Sequence, residues 1–119
     1  MGGVTIRLSG ISSLADGEAR VFAFRRGDVD EQAFLLRLGD DLVAYVNRCP
    51  HWNVDLDLGD ERFYAADLDR IYCKNHGALF LPRTGECVVG PCVGSRLEPL
   101  AVVVEGDAAV VTALRLEVR

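Results

Sequence analysis

The chain has 119 residues, 50% of them hydrophobic and 26% charged, a size and balance suited to one compact core with no room for a second domain. Eighteen acidic residues against thirteen basic ones leave a formal charge of -5, which excludes a free nucleic-acid-binding module and favours a partner with a positive face. The longest apolar runs, such as residues 100–104, fall far short of the ~20 residues of a membrane-spanning helix, and residues 1–19 lack the basic start and apolar stretch of a signal peptide, so a soluble cytoplasmic protein with no membrane partner is expected.

Period-two alternation dominates the chain. Val4, Ile6 and Leu8 alternate with Thr5, Arg7 and Ser9, and Val21 and Ala23 sit between Arg20, Phe22 and Phe24, the pattern of strands with one buried face. The best helical candidate is a single turn near residues 13–18. Residues 33–38 and 42–46 flank Gly39-Asp40-Asp41, whose turn-forming residues predict a hairpin. A second hairpin is expected where 78–81 meets 87–89 across Pro82-Arg83-Thr84-Gly85, and a third where Gly106-Asp107 joins 100–105 to 108–114. No repeat, low-complexity tract or linker interrupts the pattern. The expectation is one all-β domain over residues 1–119, built from about nine or ten short strands.

Residues 47–95 differ in character, holding all four cysteines, both histidines, the single Trp and three of the four prolines. Cysteines in a reducing compartment are ligands or reactive thiols rather than a disulfide framework. Two short motifs organise them: Cys49-Pro50-His51, and Cys73-Lys74-Asn75-His76 followed by Gly77. Each supplies one thiolate and one imidazole. A tetrahedral zinc site uses the same donors, although structural zinc sites usually space them as C-x2-4-C and H-x3-5-H. A binuclear iron–sulfur cluster, with two thiolates on one iron and two imidazoles on the other, accounts directly for one ligand of each kind on each loop.

With Phe80, Thr84-Gly85 and Gly90-Pro91 following in order, the stretch from about 47 to 100 resembles the Rieske 2Fe-2S family. The resemblance implies stacked antiparallel sheets and a small cluster-binding subdomain, about 47–95, formed by two ligand loops. It also implies one 2Fe-2S cluster, with Cys49 and Cys73 on the inner iron and His51 and His76 on the outer iron near the surface. Neutral imidazoles on one iron leave the oxidised site with no net charge, so reduction is easier than in an all-cysteine cluster. The implied role is one-electron transfer by a small Rieske-type ferredoxin, between a flavin-containing NAD(P)H-dependent reductase and an oxygenase or similar acceptor.

The chain by itself is not expected to be an enzyme. A mononuclear oxygenase iron needs two further histidines and a carboxylate, and no Gly-rich dinucleotide fingerprint is present. An accessory subunit of a larger reductase or oxygenase, and a redox sensor, are the alternative readings.

Departures from the family pattern carry information. Quinol-oxidising members pair a cysteine from each ligand loop in a disulfide; the matching positions are Val54 and Asn75. Those members also place serine and tyrosine hydroxyls where this chain has Ala78 and Phe80. Losing such donors lowers the potential by on the order of 100 mV, towards the bottom of the Rieske range near about -150 mV. Asn53 stands where many relatives have glycine, and Trp52 is expected near the docking surface. Asp55, Asp57, Asp60, Glu61, Asp67 and Asp69 read as a solvated excursion between the motifs. Cys87 and Cys92 read as buried packing residues, with a reversible disulfide between them as the alternative.

Overall fold

The computed structural model of the protein describes residues 3–50, 55–57, 59–74 and 77–114. The alternating segments become ten strands among the described residues: β1 (Gly3–Ser9), β2 (Ala19–Arg26), β3 (Val29–Leu38), β4 (Asp41–Val46), β5 (Tyr64–Ala65), β6 (Arg70–Tyr72), β7 (Leu79–Phe80), β8 (Cys87–Val89), β9 (Pro99–Glu105) and β10 (Ala108–Leu114). They form a six-stranded sheet in the order β1-β10-β9-β4-β3-β2 and a four-stranded sheet in the order β5-β6-β7-β8. Every pairing is antiparallel. The two ends of the larger sheet come together, and the Arg20 guanidinium on β2 donates to the Ser9 carbonyl on β1.

All three expected hairpins form. Leu38 faces Asp41 across the Gly39-Asp40 turn, and Glu105 faces Ala108 across Gly106-Asp107. Phe80 faces Cys87, with a register shift that lets Leu79 face Val89. Gly85 has a left-handed backbone (φ +80°), and a β-carbon there would lie 2.8 Å from the Tyr45 ring. Only glycine meets both demands, so Thr84-Gly85 is a core contact as well as a turn.

Strand parity sorts the apolar residues into two cores. Phe22, Phe24, Ala33, Leu35, Ala44, Val46, Leu100, Ala109 and Val111 fill the larger sheet. Phe34, Leu36 and Tyr45, of the opposite parity, pack with Leu56, Phe63, Ile71, Phe80 and Leu97 over the smaller sheet. β3 is therefore buried on both faces from Ala33 to Leu36, rather than on one. The junction is anchored by Phe34 stacked on Phe63 at 4.0 Å, and by the Tyr45 hydroxyl donating to the Pro82 carbonyl at 2.9 Å. Desolvation pushes the Tyr45 phenol up to about 12, so it remains a donor at neutral pH.

Several sequence expectations change. The helical turn lies earlier, as a 3-10 helix at Ile11–Ser13, followed by a separate turn at Asp16-Gly17. On β2 it is Phe22 and Phe24 that face a core, while Ala23 is exposed and Val21 is half-buried against the other core. Val103 and Val104 of β9 are exposed, whereas β10 buries Ala109 and Val111.

Candidate metal centre

The first motif follows directly from β4, and a set of buried polar contacts shapes the chain around it. The Asn47 backbone amide donates to the Gln32 carbonyl (2.7 Å), and its side-chain amide donates to Gln32 Oε1 (2.9 Å) and Asp57 Oδ1 (3.0 Å). Its side-chain oxygen accepts from the Leu56 amide at 2.8 Å, while Asp57 Oδ2 accepts from the Glu61 amide at 2.9 Å. Asn47 and Asp57 thus tie together the two ends of the segment 47–57. Asp57 is 6% exposed, so it is a structural clasp and not part of a solvated excursion. Each such bond contributes about 0.5–1.5 kcal/mol, and leaving a buried partner unsatisfied costs about 1–3 kcal/mol.

The second motif is pinned to Leu56, in the segment that follows the first. The Lys74 amide donates to the Leu56 carbonyl at 2.9 Å; the Cys73 amide donates to the Ala78 carbonyl and the Gly77 amide to the Cys73 carbonyl, each also at 2.9 Å. Gly77 sits at φ +69°, which closes this tight turn without a side-chain penalty. Gly90 presses on the same turn from a third segment. At φ +103°, a β-carbon on it would lie 2.9 Å from the Ala78 α-carbon. Gly90-Pro91 is thereby held against the second motif.

A buried ion network lies at the root of the first motif. Arg26 bridges Glu31 (2.6 Å) and Glu98 (2.5 Å), and Arg48, the residue before Cys49, reaches the other Glu31 oxygen at 2.5 Å. The Glu98 hydrogen bond, joined by Glu31, raises the Arg26 guanidinium despite the opposing cost of burial. Strand parity could have found this network: Arg26 follows Phe22 and Phe24 on one face, and Glu31 precedes Ala33 and Leu35. Asn47 and Asp57 had no comparable signal, because their partners meet only through tertiary structure.

All four cysteines are buried, and none is in a disulfide. Cys49 and Cys73, both 0% exposed, share one buried cluster with Cys87, Cys92, Ala78 and Phe80. The Cys87 thiol donates to the Val89 carbonyl at 3.3 Å. Burial, reinforced by the neighbouring Cys87 and Cys49, pushes the Cys92 thiol up to about 12. Cys87 and Cys92 therefore lie in one buried cluster. Ala78 and Phe80 are fully buried and supply no hydroxyl.

His51 and His76 lie outside the described residues, as do Trp52, Asn53, Val54 and Asn75. Among the described residues, no three His, Cys, Asp or Glu side chains are placed to hold a metal ion. The cysteines by themselves do not form a thiolate cage there. Two fully buried cysteines in one cluster, one just after β4 and one just after β6, nevertheless fit the thiolate half of a mixed thiolate–imidazole cluster site.

The comparisons agree with this donor chemistry. Residues 8–112 match the model of the Rieske 2Fe-2S domain. The ferredoxin of carbazole 1,9a-dioxygenase from Nocardioides aromaticivorans IC177 is 28% identical, with a TM-score of 0.69 over 93% of this chain and 98% of that one. A chain from the complex of reduced oxygenase and oxidised ferredoxin in carbazole 1,9a-dioxygenase is 24% identical, with a TM-score of 0.72 over 97% of this chain and 99% of that one. The terminal oxygenase of carbazole 1,9a-dioxygenase from Novosphingobium sp. KA1 shares the fold at 18% identity and a TM-score of 0.71, over 98% of this chain but 32% of that one. No curated protein matches the sequence. No helix among the described residues is long and apolar enough to cross a membrane. From the family match along nearly its whole length, the chain belongs to the Rieske 2Fe-2S domain family, and its cofactor is one 2Fe-2S cluster.

Proposed function

We propose that this chain is a cytoplasmic Rieske-type ferredoxin of one domain, carrying single electrons from a flavin-containing NAD(P)H-dependent reductase to an oxygenase or a similar acceptor. The observation that carries the reading is the pair of buried cysteines, Cys49 and Cys73, in one cluster, supported by the 28% identity to the ferredoxin of carbazole 1,9a-dioxygenase over 93% of this chain. In this reading Cys49 and Cys73 hold the inner iron, and His51 and His76 hold the outer iron.

Once bound, the cluster supplies a reversible one-electron couple whose oxidised form is neutral overall, since two ferric ions balance two sulfides and two thiolates. The chain does the rest. Asn47, Asp57 and the Lys74–Leu56 bond hold the two ligand turns in a fixed relation, so little reorganisation accompanies the electron. The buried shell of Ile71, Phe63 and Phe80 excludes water from the cysteine side. Exposed Val88, Val89 and Val93 flank Gly90-Pro91, giving a partner an apolar surface beside the cluster end. Absent hydroxyls at Ala78 and Phe80 keep the reduced state poorly stabilised, towards the low Rieske potentials near about -150 mV.

Iron and sulfide analysis of the purified protein, with electron resonance of the reduced form, tests the reading. Two irons, two sulfides and a rhombic spectrum with low average g are expected, and a colourless protein holding one zinc ion would overturn it. A redox titration should give a negative potential; a clearly positive one removes the oxygenase-type assignment.

A further inference from the structure

Each cysteine assigned to the inner iron has a cation next to it in the chain: Arg48 precedes Cys49, and Lys74 follows Cys73. Both cations are tied to carboxylates. Arg48 reaches Glu31 at 2.5 Å, and the Lys74 ammonium is ion-paired with Asp60. Their surroundings differ. The Lys74 side chain is 12% exposed against 40% for Arg48, and its ammonium also lies 5.4 Å from the centre of the Tyr72 ring. Cys73 enters the buried cluster, while Tyr72 and Lys74, on either side of it, meet each other and are only partly buried. The Lys74 amide is held by the Leu56 carbonyl at 2.9 Å, so this residue is fixed at both ends.

An ion pair open to water adds little to stability, and Asp60, with 45% of its side chain exposed, is a partner of that kind. What these contacts accomplish is to hold a charge in place. The oxidised cluster with its two thiolates is neutral, and one added electron makes it negative. A cation fixed nearby stabilises the reduced form, and a carboxylate destabilises it. Water and salt screen the more exposed member of a pair more effectively, so Asp60 cancels only part of the field of the enclosed ammonium. The pair leaves a positive bias next to Cys73.

We propose that Lys74 is a positioning residue: clamped by Asp60 and Tyr72, it holds a positive charge beside the turn that carries Cys73, and so favours the reduced cluster. This rests on the assignment of Cys73 as an iron ligand made above. One electron enters the cluster and no side chain changes its protonation. The charge partly offsets the hydroxyls missing at Ala78 and Phe80. Arg48, more exposed, acts in the same direction and more weakly.

The measurement is the reduction potential of each reconstituted variant at fixed pH and low salt. Lys74→Gln keeps most of the stem and removes the charge; it is expected to lower the reduction equilibrium constant about threefold, equivalent to about 28 mV for one electron. Lys74→Arg restores the charge and stays near the unsubstituted value. Asp60→Asn leaves the ammonium unopposed and shifts the potential upward by a smaller amount, while Arg48→Gln shifts it downward by less than Lys74→Gln. Added salt should shrink every shift. A downward shift in both Lys74→Gln and Asp60→Asn would overturn the proposal, because the pair would then only brace the turn, and so would an unchanged potential in Lys74→Gln. If Lys74→Gln fails to hold the cluster, Asp60→Asn decides: an upward shift supports the proposal, and an unchanged or lower potential ends it. Cys73→Ser separates this from a failure of the ligand assignment: an unchanged visible and electron resonance spectrum there would dispose of Cys73 as a ligand, whatever the Lys74 variants do.

Discussion

The six-stranded sheet and the segment that carries the motifs are stabilised by different physics. The sheet is held by long ladders, such as the eight-residue pairing of β2 with β3, over a core made almost wholly of aliphatic and phenylalanine side chains. In the motif-bearing segment β5 and β7 are two residues long, and side-chain polar contacts replace the ladder. Asn47 alone makes four hydrogen bonds with Gln32, Leu56 and Asp57, counting its backbone amide. The lesson is that a ligand-holding region gains precision from saturated polar contacts where regular secondary structure is too short to supply it.

The largest expected effect separates the two regions outright. Cys73→Ala should abolish cluster assembly, seen as loss of visible absorbance, while far-ultraviolet dichroism keeps the sheet signature. A variant that retained the full cluster would break the contrast and the ligand assignment together.

Glu31→Ala acts at the junction. It leaves the Arg26 guanidinium buried with Glu98 as its remaining carboxylate partner and strips Arg48 of Glu31. Removal of one member of a buried ion pair costs about 3–5 kcal/mol, and because β3 belongs to both cores, denaturant unfolding of the whole chain should move to lower concentration.

Asp57→Ala sharpens the comparison. It removes acceptors for Asn47 and for the Glu61 amide at a cost of about 1–3 kcal/mol. Since those contacts belong to the ligand segment, iron should be lost to a chelator several times faster while the thermal midpoint of the sheet changes little. Equal damage to both would show that the segment does not open separately from the sheet.

The smallest effect lies at the far end of the sheet. Asp107 is held below the usual carboxylate range by the Ser12 side chain and then by the Ser12 amide, which donates at 2.7 Å. A depressed folded-state pKa means that the contribution is present above the unfolded carboxylate value and is lost as pH falls through the folded one. Asp107→Asn should therefore flatten the acid limb of a stability–pH curve slightly, without altering the cluster spectrum.

Much of this was legible in the residues. Alternation around Gly39-Asp40-Asp41 and Gly106-Asp107 located two hairpins because turn chemistry and strand period are local properties. The donor types of the two motifs, with Phe80, Thr84-Gly85 and Gly90-Pro91, pointed to the family that the comparison confirmed. The misreading of Asp57 has an equally local cause: six acidic residues in a short stretch look solvated, and burial of one depends on Asn47, ten positions away.

Local sequence determined the strands, the turns and the chemical identity of the donors, because backbone preference, side-chain period and ligand type belong to each residue wherever it lies. Tertiary structure decided which charges go inside, as with Arg26 and Glu31, why Gly85 and Gly90 must be glycine, and that Cys92 shares a buried cluster with Cys49 across 43 positions of chain. Those outcomes depend on which surfaces are pressed together, and close packing between distant segments is not written into either segment by itself.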